Sequence, residues 1–246
     1  RGSILFVLHD ITPLKHAETV KDNFVANVSH ELKTPITIIK GFSETLSEDM
    51  DTLDPGTIRR FVGKIQSNAE RLHLLVEDLL TLSRMTAETD YLKKSDQSLS
   101  NVVKPLVESY RTDNPDLTIL EEGNGWQAII RVDSLKISQV FSNLIDNSIR
   151  YAGPDSEIRI RMDATPENHQ LLCSVSDNGP GVSSSELSEI FRRFYRADKS
   201  RSQSSGGSGL GLSIARGIID LHGGSMHAEH VNPHGLKVCF SLPLNQ

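Results

Sequence analysis

Cysteine is scarce in this sequence, where Cys173 and Cys239 are the two cysteines among 246 residues. Two cysteines this far apart form neither a Cys-rich metal motif nor a disulfide framework. Because both lie in alternating apolar stretches, we interpret them as small hydrophobic residues buried in strands. Such usage is consistent with a reducing compartment.

Long apolar runs and an excess of basic residues are also missing. No stretch reaches the roughly 18 consecutive apolar residues of a membrane-spanning helix. The 26 Lys and Arg residues are outnumbered by 32 Asp and Glu residues, which argues against a nucleic-acid-binding surface. The sequence starts at Arg1 without an initiator Met or a signal peptide. We therefore expect a piece of a longer protein, with any membrane contact made through upstream segments.

The first part of the chain has the apolar spacing of two long helices. Steps of three and four separate the apolar residues from Leu14 to Ser47, and similar steps recur from Ile58 to Leu82. Asp54 is predicted to cap the second helix, with Pro55 as its first residue. The apolar seams are Val20, Phe24, Val28, Leu32, Pro35, Ile39, Phe42 and Leu46, then Ile58, Phe61, Ile65, Leu72, Val76, Leu79 and Leu82.

These seams predict a helical hairpin whose helices each have roughly 30 residues and a length of about 45 Å. A hairpin buries only one stripe of each helix, so we expect two hairpins to pack as a four-helix bundle in a homodimer. A bundle within one chain is the alternative. The rest of the sequence supplies no two further long amphipathic helices for it.

The second part of the chain mixes helices and strands without strict alternation. This order of helices and strands predicts an antiparallel or mixed sheet with helices on one face. A polar linker is expected before it, and residues 3–11 are predicted to be a strand that ends an upstream domain. Helices are predicted at 99–110, 134–151 and 210–221, and strands at 117–121, 127–132, 157–162, 170–176, 225–228 and 236–242.

The first chemical signal is His30, followed by Glu31 and, one turn later, Thr34. Helical geometry points His30 away from the apolar seam. Glu31 can hydrogen-bond the imidazole and orient one ring nitrogen for attack, while Thr34 shares the face of His30. A zinc-protease H-E-x-x-H motif is excluded because Thr34 occupies the position of the second histidine. Pro35 is predicted to bend the helix just past His30.

Three segments of the second part suggest one nucleotide site. Asn143, Asn147 and Arg150 share a helix face, offering amide oxygens for a hard cation and a positive charge for phosphate. Asp177 directly follows a strand within Asp-Asn-Gly-Pro-Gly, where it can accept a hydrogen bond from an exocyclic amine. The glycine-rich segment from 206 to 213 opens a helix, whose amide groups bind phosphate well. It is neither a Walker loop nor a Rossmann fingerprint.

These motifs together resemble the sensor histidine kinases, especially phosphate-regulon-type sensors. Ser29–Pro35 resembles the H box of that family, and Asn143–Tyr151 resembles its N box. Residues 177–181 and 207–211 are similar to its two glycine boxes, and 190–196 to its F box. Five motifs in the right order cover nearly the whole chain.

The resemblance implies a multidomain α and α+β protein. Residues 1–13 would be the tail of a PAS-like sensor domain with its linker, and 14–88 a dimerisation and histidine phosphotransfer domain. Residues 89–98 would be a linker, and 99–246 a catalytic α/β sandwich of the Bergerat type that binds ATP and Mg²⁺. A polar stretch, 198–205, would form a mobile lid.

The same resemblance assigns roles to individual residues. His30 would be the phosphorylated nucleophile, Glu31 its acid/base partner, and Thr34 would position water in a phosphatase reaction. In the ATP site, Asn147 would chelate Mg²⁺ and Asp177 would bind the adenine amine. The other residues expected there are Asn143 and Arg150 near the phosphates, Tyr151 at the adenine, and Gly179, Gly181, Ser208, Gly209, Leu210 and Gly211 around the pocket and lid hinge.

The implied partners are a response-regulator receiver domain and a second copy of the chain, and the expected location is the cytoplasmic part of an inner-membrane-anchored protein. A gyrase-like or Hsp90-like ATPase is the rival function, although such proteins lack a histidine-bearing hairpin. A catalytically inactive scaffold is a second rival. Four histidines are predicted to lie in strands and turns without metal-ligand geometry: His222, His227, His230 and His234.

Overall fold

The structure is a computed structural model that describes residues 11–87, 92–153, 156–196 and 207–244. The chain divides into two compact units, one ending at Val76 and the other beginning at Glu77. The strand predicted at 3–11, apart from Ile11, lies outside the described residues. Within those residues no helix combines the length and the apolar character needed to cross a bilayer.

The first unit contains helix α1 (Thr12–Asp49) and most of helix α2 (Pro55–Ala87). Both helices were predicted, and each is somewhat longer than expected. Pro13 lies in the first turn of α1, and the helix continues through Pro35. The Asp54 side chain accepts a hydrogen bond of 3.0 Å from the backbone amide of Thr57, so the predicted N-cap is confirmed.

The helical hairpin buries few of its own side chains. Phe42 of α1 packs against Phe61 of α2 with ring centroids 4.8 Å apart. Among the described residues of the first unit, Pro35 and Leu75 are the ones that lie fully buried. Val76, predicted to lie in the α2 seam, is instead 40% exposed. Leu75 takes the inward position, because a one-residue offset rotates a helical side chain by about 100°.

In its described residues, the second unit contains the end of α2, three more helices and seven strands. Its elements are β1 (Ser95–Ser98), α3 (Leu99–Asp113), β2 (Thr118–Glu122), β3 (Ile129–Val132), α4 (Ser134–Ala152), β4 (Glu157–Thr165), β5 (Gln170–Asp177), α5 (Gly211–Leu221), β6 (Ser225–His230) and β7 (Leu236–Pro243). Two short 3₁₀ turns lie at Pro166–Asn168 and Glu189–Phe191.

Five strands form one mixed sheet in the order β2-β4-β5-β7-β6, in which β2 and β4 are parallel and the other neighbours antiparallel. Alternate strand side chains are buried, and α4 and α5 contribute buried residues to the same core. On the other face of β4, Arg159 and Arg161 are exposed. The predicted fold class, a hairpin followed by a mixed-sheet α/β domain, is confirmed.

Two details of this unit differ from the pattern expected from sequence. The linker predicted at 89–98 contains β1, which pairs with β3 in a separate two-stranded sheet. Its sequence, Ser-Asp-Gln-Ser, gave no strand signal because backbone pairing at an edge needs no apolar side chains. Cys173 is buried as expected, but Cys239 is only partly buried, since its strand position turns it to the exposed face.

The core of the second unit predicts a selective loss of stability. Phe141 is fully buried and meets the edge of Phe240 at 5.5 Å between centroids. We expect Phe141→Ala to destabilise this unit by about 3–5 kcal/mol through the cavity it leaves. Denaturant unfolding followed by the fluorescence of Trp126, the single tryptophan, measures this. Leu135→Ala on the same helix, at a side chain 80% exposed, should change stability by less than about 0.5 kcal/mol.

Candidate active site

His30 lies on the exposed surface of α1, as predicted. The hydroxyl of Thr34, one turn later, donates a hydrogen bond of 3.2 Å to the backbone carbonyl of His30. Both side chains are solvent-exposed. The imidazole is therefore accessible to a reactant, and Thr34 lies beside it on the same helix face.

Glu31, the residue after His30, forms an ion pair across the hairpin. Its Oε2 lies 3.0 Å from Nη2 of Arg71 on α2, and the two side chains are only 18% and 20% exposed. Salt screens such a partly buried pair less than a fully exposed one. The sequence motifs did not reveal Arg71, because nothing in its local pattern indicates which residue of the facing helix meets Glu31.

In the second unit, Asp177 ends β5 as a buried carboxylate, 8% exposed. Its Oδ1 accepts hydrogen bonds from the backbone amides of Gly179 at 2.9 Å and Leu236 at 3.2 Å. Its Oδ2 accepts a hydrogen bond of 3.2 Å from the hydroxyl of Ser148 on α4. Three different chain segments thus hold one carboxylate in place.

Burial raises the pKa of Asp177 above its ordinary value, because desolvation penalises the charged form. The two backbone donors and the Ser148 hydroxyl oppose that rise. A desolvated carboxylate with fixed geometry is suited to accept a hydrogen bond from a ligand amine. Ser148 and the Leu236 amide were missed from sequence, since both reach Asp177 only through tertiary packing.

Glycines around Asp177 allow the backbone to approach closely. A Cβ at Gly179 would lie 2.9 Å from the Cβ of Ala152, and one at Gly235 would lie 2.1 Å from the carbonyl oxygen of Asp177. Gly181 has a positive φ of 69°, which strains any residue with a side chain. These glycines pack the turn after β5 against α4 and the β6–β7 hairpin.

The predicted N-box residues lie on α4 next to the second glycine segment. The amide nitrogen of Asn143 donates a hydrogen bond of 3.1 Å to the carbonyl of Gly211. Asn147 is half-buried and Arg150 is exposed. The Arg150 guanidinium packs over Gly207, where an added Cβ would lie 2.5 Å from Nη1. The structure therefore brings these two predicted segments together. Tyr151, near the end of the helix, is 43% exposed.

Ser208 is held by the part of α2 that belongs to the second unit. Its hydroxyl donates a hydrogen bond of 2.9 Å to Asp78 and accepts one of 3.2 Å from the amide of Leu210. Burial raises the pKa of Asp78, while Ser208 and the charge of Arg150 oppose the rise. Asp78 is a second residue that the motifs did not indicate.

Two further features of the glycine segment are clear. Gly209 adopts a positive φ of 71°, and an added Cβ there would lie 3.0 Å from the backbone of Phe194. The amide of Phe194 donates a hydrogen bond of 2.8 Å to the carbonyl of Gly209. The segment therefore packs against the predicted F box. The lid predicted at 198–205 lies outside the described residues.

The four histidines of the C-terminal region lie in four different environments. The buried His222 accepts a hydrogen bond of 3.0 Å from the amide of Asp133 through Nε2. His234 lies 3.1 Å from the carbonyl of Gly179, and His230 lies 3.2 Å from the hydroxyl of Ser184. Together they form no four-histidine metal site. His227 lies 3.2 Å from the carboxylate of Glu229.

Two family models match different parts of the chain. Residues 20–88 match the His Kinase A (phospho-acceptor) domain, and residues 132–246 match the histidine kinase-, DNA gyrase B-, and HSP90-like ATPases. The sensor protein kinase WalK of Staphylococcus aureus strain MRSA252 is 32% identical over 237 residues, which are 96% of this chain. The chain belongs to the sensor histidine kinases. The finer likeness to phosphate-regulon sensors stays a prediction.

This histidine kinase chain spans 39% of that WalK sequence and 57% of another WalK sequence from Staphylococcus aureus. Solved structures show the same fold. Histidine kinase ThkA in complex with the response regulator TrrA covers 94% of this chain and is covered over 64% of its own length, at 25% identity and a TM-score of 0.74. Acinetobacter baumannii AdeS, at 23% identity, covers 88% of this chain and is covered over 98%, with a TM-score of 0.67.

The hydrogen bond from Ser148 predicts a measurable shift at Asp177. Ser148→Ala removes a donor to the charged carboxylate, so the pKa of Asp177 should rise further. The carboxyl ¹³C chemical shift of Asp177, followed by NMR as the pH is lowered, reports this pKa. Ser142→Ala is the matched control, because that hydroxyl donates to the backbone carbonyl of Ser138 within the same helix. An unchanged titration in Ser148→Ala would contradict the assigned contact.

Proposed function

We propose that this chain uses ATP to phosphorylate His30, transfers the phosphoryl group to an aspartate of a response-regulator receiver domain, and also dephosphorylates that receiver by hydrolysis. The observation that carries the proposal is an exposed histidine whose neighbour, Glu31, is held by Arg71. An ATPase that only hydrolyses nucleotide needs no such group. The ATP-binding domain supplies the phosphoryl donor.

Adenine recognition is assigned to Asp177. The ionised carboxylate accepts a hydrogen bond from the exocyclic amine, and the donors already bound to it fix its orientation. Gly179 and Gly181 let the backbone lie against a flat ring, since neither carries a side chain. Tyr151 is assigned to the rim of the same pocket. Protonation of Asp177 removes the acceptor, so nucleotide affinity falls as the pH drops through its raised pKa.

The phosphate side of the site is assigned to α4 and the second glycine segment. The side-chain nitrogen of Asn143 donates its hydrogen bond to the carbonyl of Gly211. The side-chain oxygen of Asn143 is therefore left to act as an acceptor. That oxygen and the side chain of Asn147 fit the oxygen-rich ligand set of Mg²⁺. When bound, Mg²⁺ would offset negative charge on the phosphates. Arg150, next to Gly207, contributes a guanidinium for the same purpose. The second glycine segment is assigned to the same side of the site, through Ser208, Gly209, Leu210 and Gly211.

At His30 the chemistry is an in-line displacement. Nε2 attacks the γ-phosphorus, the N–P bond forms, and the bond from that phosphorus to the β,γ-bridging oxygen breaks as ADP leaves. Glu31 accepts a hydrogen bond from the N–H at Nδ1 of the imidazole and takes up that proton. Arg71 acts as a positioning residue that keeps the Glu31 carboxylate in one rotamer. In the dephosphorylation of the receiver, Thr34 positions a water that attacks the phosphorus, and the bond from phosphorus to the aspartate oxygen breaks to release inorganic phosphate.

The hairpin also supports a homodimer. Because its described residues bury so little within one chain, much apolar surface is left over. A second hairpin packed against it as a four-helix bundle would cover that surface. Apolar side chains at least half-exposed on the two helices include Val25, Ile36, Val62 and Leu74.

The response regulator and the membrane anchor are proposals for the whole protein. ThkA is a histidine kinase solved with its response regulator, and its fold matches this chain. The WalK relatives are longer than this chain, which is consistent with upstream sensor and anchoring segments. We propose that this chain is the cytoplasmic part of an inner-membrane-anchored protein.

The phosphoacceptor is tested with γ-labelled ATP and Mg²⁺. Wild type should acquire acid-labile, base-stable label, and His30→Ala should lose it because the nucleophile is absent. His73→Ala is the matched control, because that histidine is also exposed on the hairpin, on α2, and should leave labelling unchanged. Phosphopeptide mapping then locates the label.

Each alternative gives a different result in that experiment. ATP binding and hydrolysis without labelled protein would favour the ATPase. ATP binding with neither hydrolysis nor label would favour an inactive scaffold. Label that survives in His30→Ala would move the phosphoacceptor to another histidine.

The dephosphorylation of the receiver is tested separately at Thr34. Thr34→Ala should lower the dephosphorylation rate of a phosphorylated receiver at least about tenfold, since a positioned water contributes that much or more. Labelling of His30 should remain within about twofold. Thr37→Ala is the control, because its hydroxyl makes the same kind of hydrogen bond, to Lys33 one turn below. Equal losses in both variants would show a helix effect in place of a specific role.

A further inference from the structure

A second group of ligand-type side chains lies on the β6–β7 hairpin and includes none of the residues assigned to ATP. It consists of His227, Glu229 and Cys239, and one potential ligand atom from each lies within 4.8 Å of the others. None of the three takes part in the proposed phosphoryl transfer. A histidine, a carboxylate and a thiol together offer three ligand types to one cation.

The strand register fixes this arrangement. His227 and Cys239 are directly paired across the antiparallel β6–β7 ladder, and Glu229 follows His227 by two positions. Paired residues have Cβ atoms about 4.5–5.5 Å apart, and residues two apart share a face. The three side chains therefore project from the same side of the sheet. Buried residues alternate with them, namely Met226, Val238 and Phe240, so the face cannot be exchanged by a register slip.

The distances suit a tetrahedral cation. Nε2 of His227 and Oε1 of Glu229 are 3.2 Å apart. Ligands about 2.0–2.3 Å from a tetrahedral centre are separated by roughly 3.3–3.8 Å along its edges. The distance between the His227 nitrogen and the Glu229 oxygen is therefore already close to the separation of two zinc ligands. The sulfur of Cys239 would have to move by about 1 Å, which a side-chain rotation provides.

We propose that His227, Glu229 and Cys239 form a binding site for Zn²⁺, with water as the fourth ligand. Imidazole nitrogen, carboxylate oxygen and thiolate sulfur are the three ligand types that zinc uses, and three protein ligands with an open position are common for it. Mg²⁺ does not compete here, because it takes oxygen ligands in octahedral geometry. Binding replaces the S–H bond of Cys239 with an S–Zn bond and releases the proton to solvent.

Lys237 is the internal competitor of this site. It lies opposite Glu229 in the ladder, and its Nζ is 3.0 Å from Oε2 of that carboxylate. The ammonium occupies one oxygen of Glu229, while the other oxygen faces His227. A cation at the site therefore works against the positive charge of Lys237, which sets a moderate affinity.

The test is a titration of the reduced, metal-free chain with Co²⁺, which reports its own coordination, in excess Mg²⁺ and without nucleotide. Wild type should show a thiolate-to-cobalt charge-transfer band together with tetrahedral d–d bands, and Zn²⁺ should displace both. Cys239→Ser should lose the charge-transfer band. His227→Gln should weaken binding at least about tenfold.

Two further variants separate this site from general metal affinity. His230→Gln lies on the same strand with its ring beside Ser184, and it should bind Co²⁺ like wild type. Lys237→Met removes the competing ammonium and should bind more tightly. This gain keeps the test valid even if Cys239→Ser folds poorly, since loss of structure does not raise affinity.

A specific set of results overturns the proposal. The site is absent if wild type gives no charge-transfer band, or if that band persists in Cys239→Ser. It is also absent if His227→Gln and His230→Gln weaken binding equally. Zn²⁺ should also raise the unfolding temperature of wild type and leave that of Cys239→Ser unchanged, as expected for a ligand that binds only the folded state.

Discussion

The buried carboxylate of Asp177 accepts hydrogen bonds from three parts of the second unit and thereby links them. The turn after β5 supplies the Gly179 amide, α4 supplies the Ser148 hydroxyl, and the start of β7 supplies the Leu236 amide. A buried carboxylate without such donors would carry a large desolvation cost. The carboxylate proposed to bind adenine is therefore held in one position, because its donors belong to the turn after β5, to α4 and to β7.

The constraint on the first unit is the opposite one. Two long helices give a stable frame for His30, yet a hairpin has too little interior to bury its apolar side chains. Pro35 and Leu75 are the fully buried residues among those described there. Glu31 and Arg71 add a polar contact between the helices. The hairpin thus presents His30 on its surface and buries few of its own apolar side chains, which is the basis for the proposed pairing with a second copy.

Within the second unit, contacts extend the site beyond its sequence motifs. Asp78, near the end of α2, accepts a hydrogen bond from Ser208, while Arg150 of α4 packs over Gly207. Met85 also lies against Gly217 of α5, where an added Cβ would come within 2.3 Å of its methyl carbon. The glycine segment is consequently connected to both α2 and α4, so changes in either helix act on the residues assigned to the phosphates.

The amino-acid sequence by itself determined the helix periodicity, the Asp54 cap, most strand positions and the motifs that mark His30, Asn147 and Asp177. These are local signals, set by residues a few positions apart. Tertiary structure alone decided which side chains meet: Arg71 with Glu31, Ser148 with Asp177, and His227 with Cys239. It also decided that the polar segment Ser95–Ser98 is a strand. Such pairings depend on packing and register between distant segments, and no local pattern encodes either.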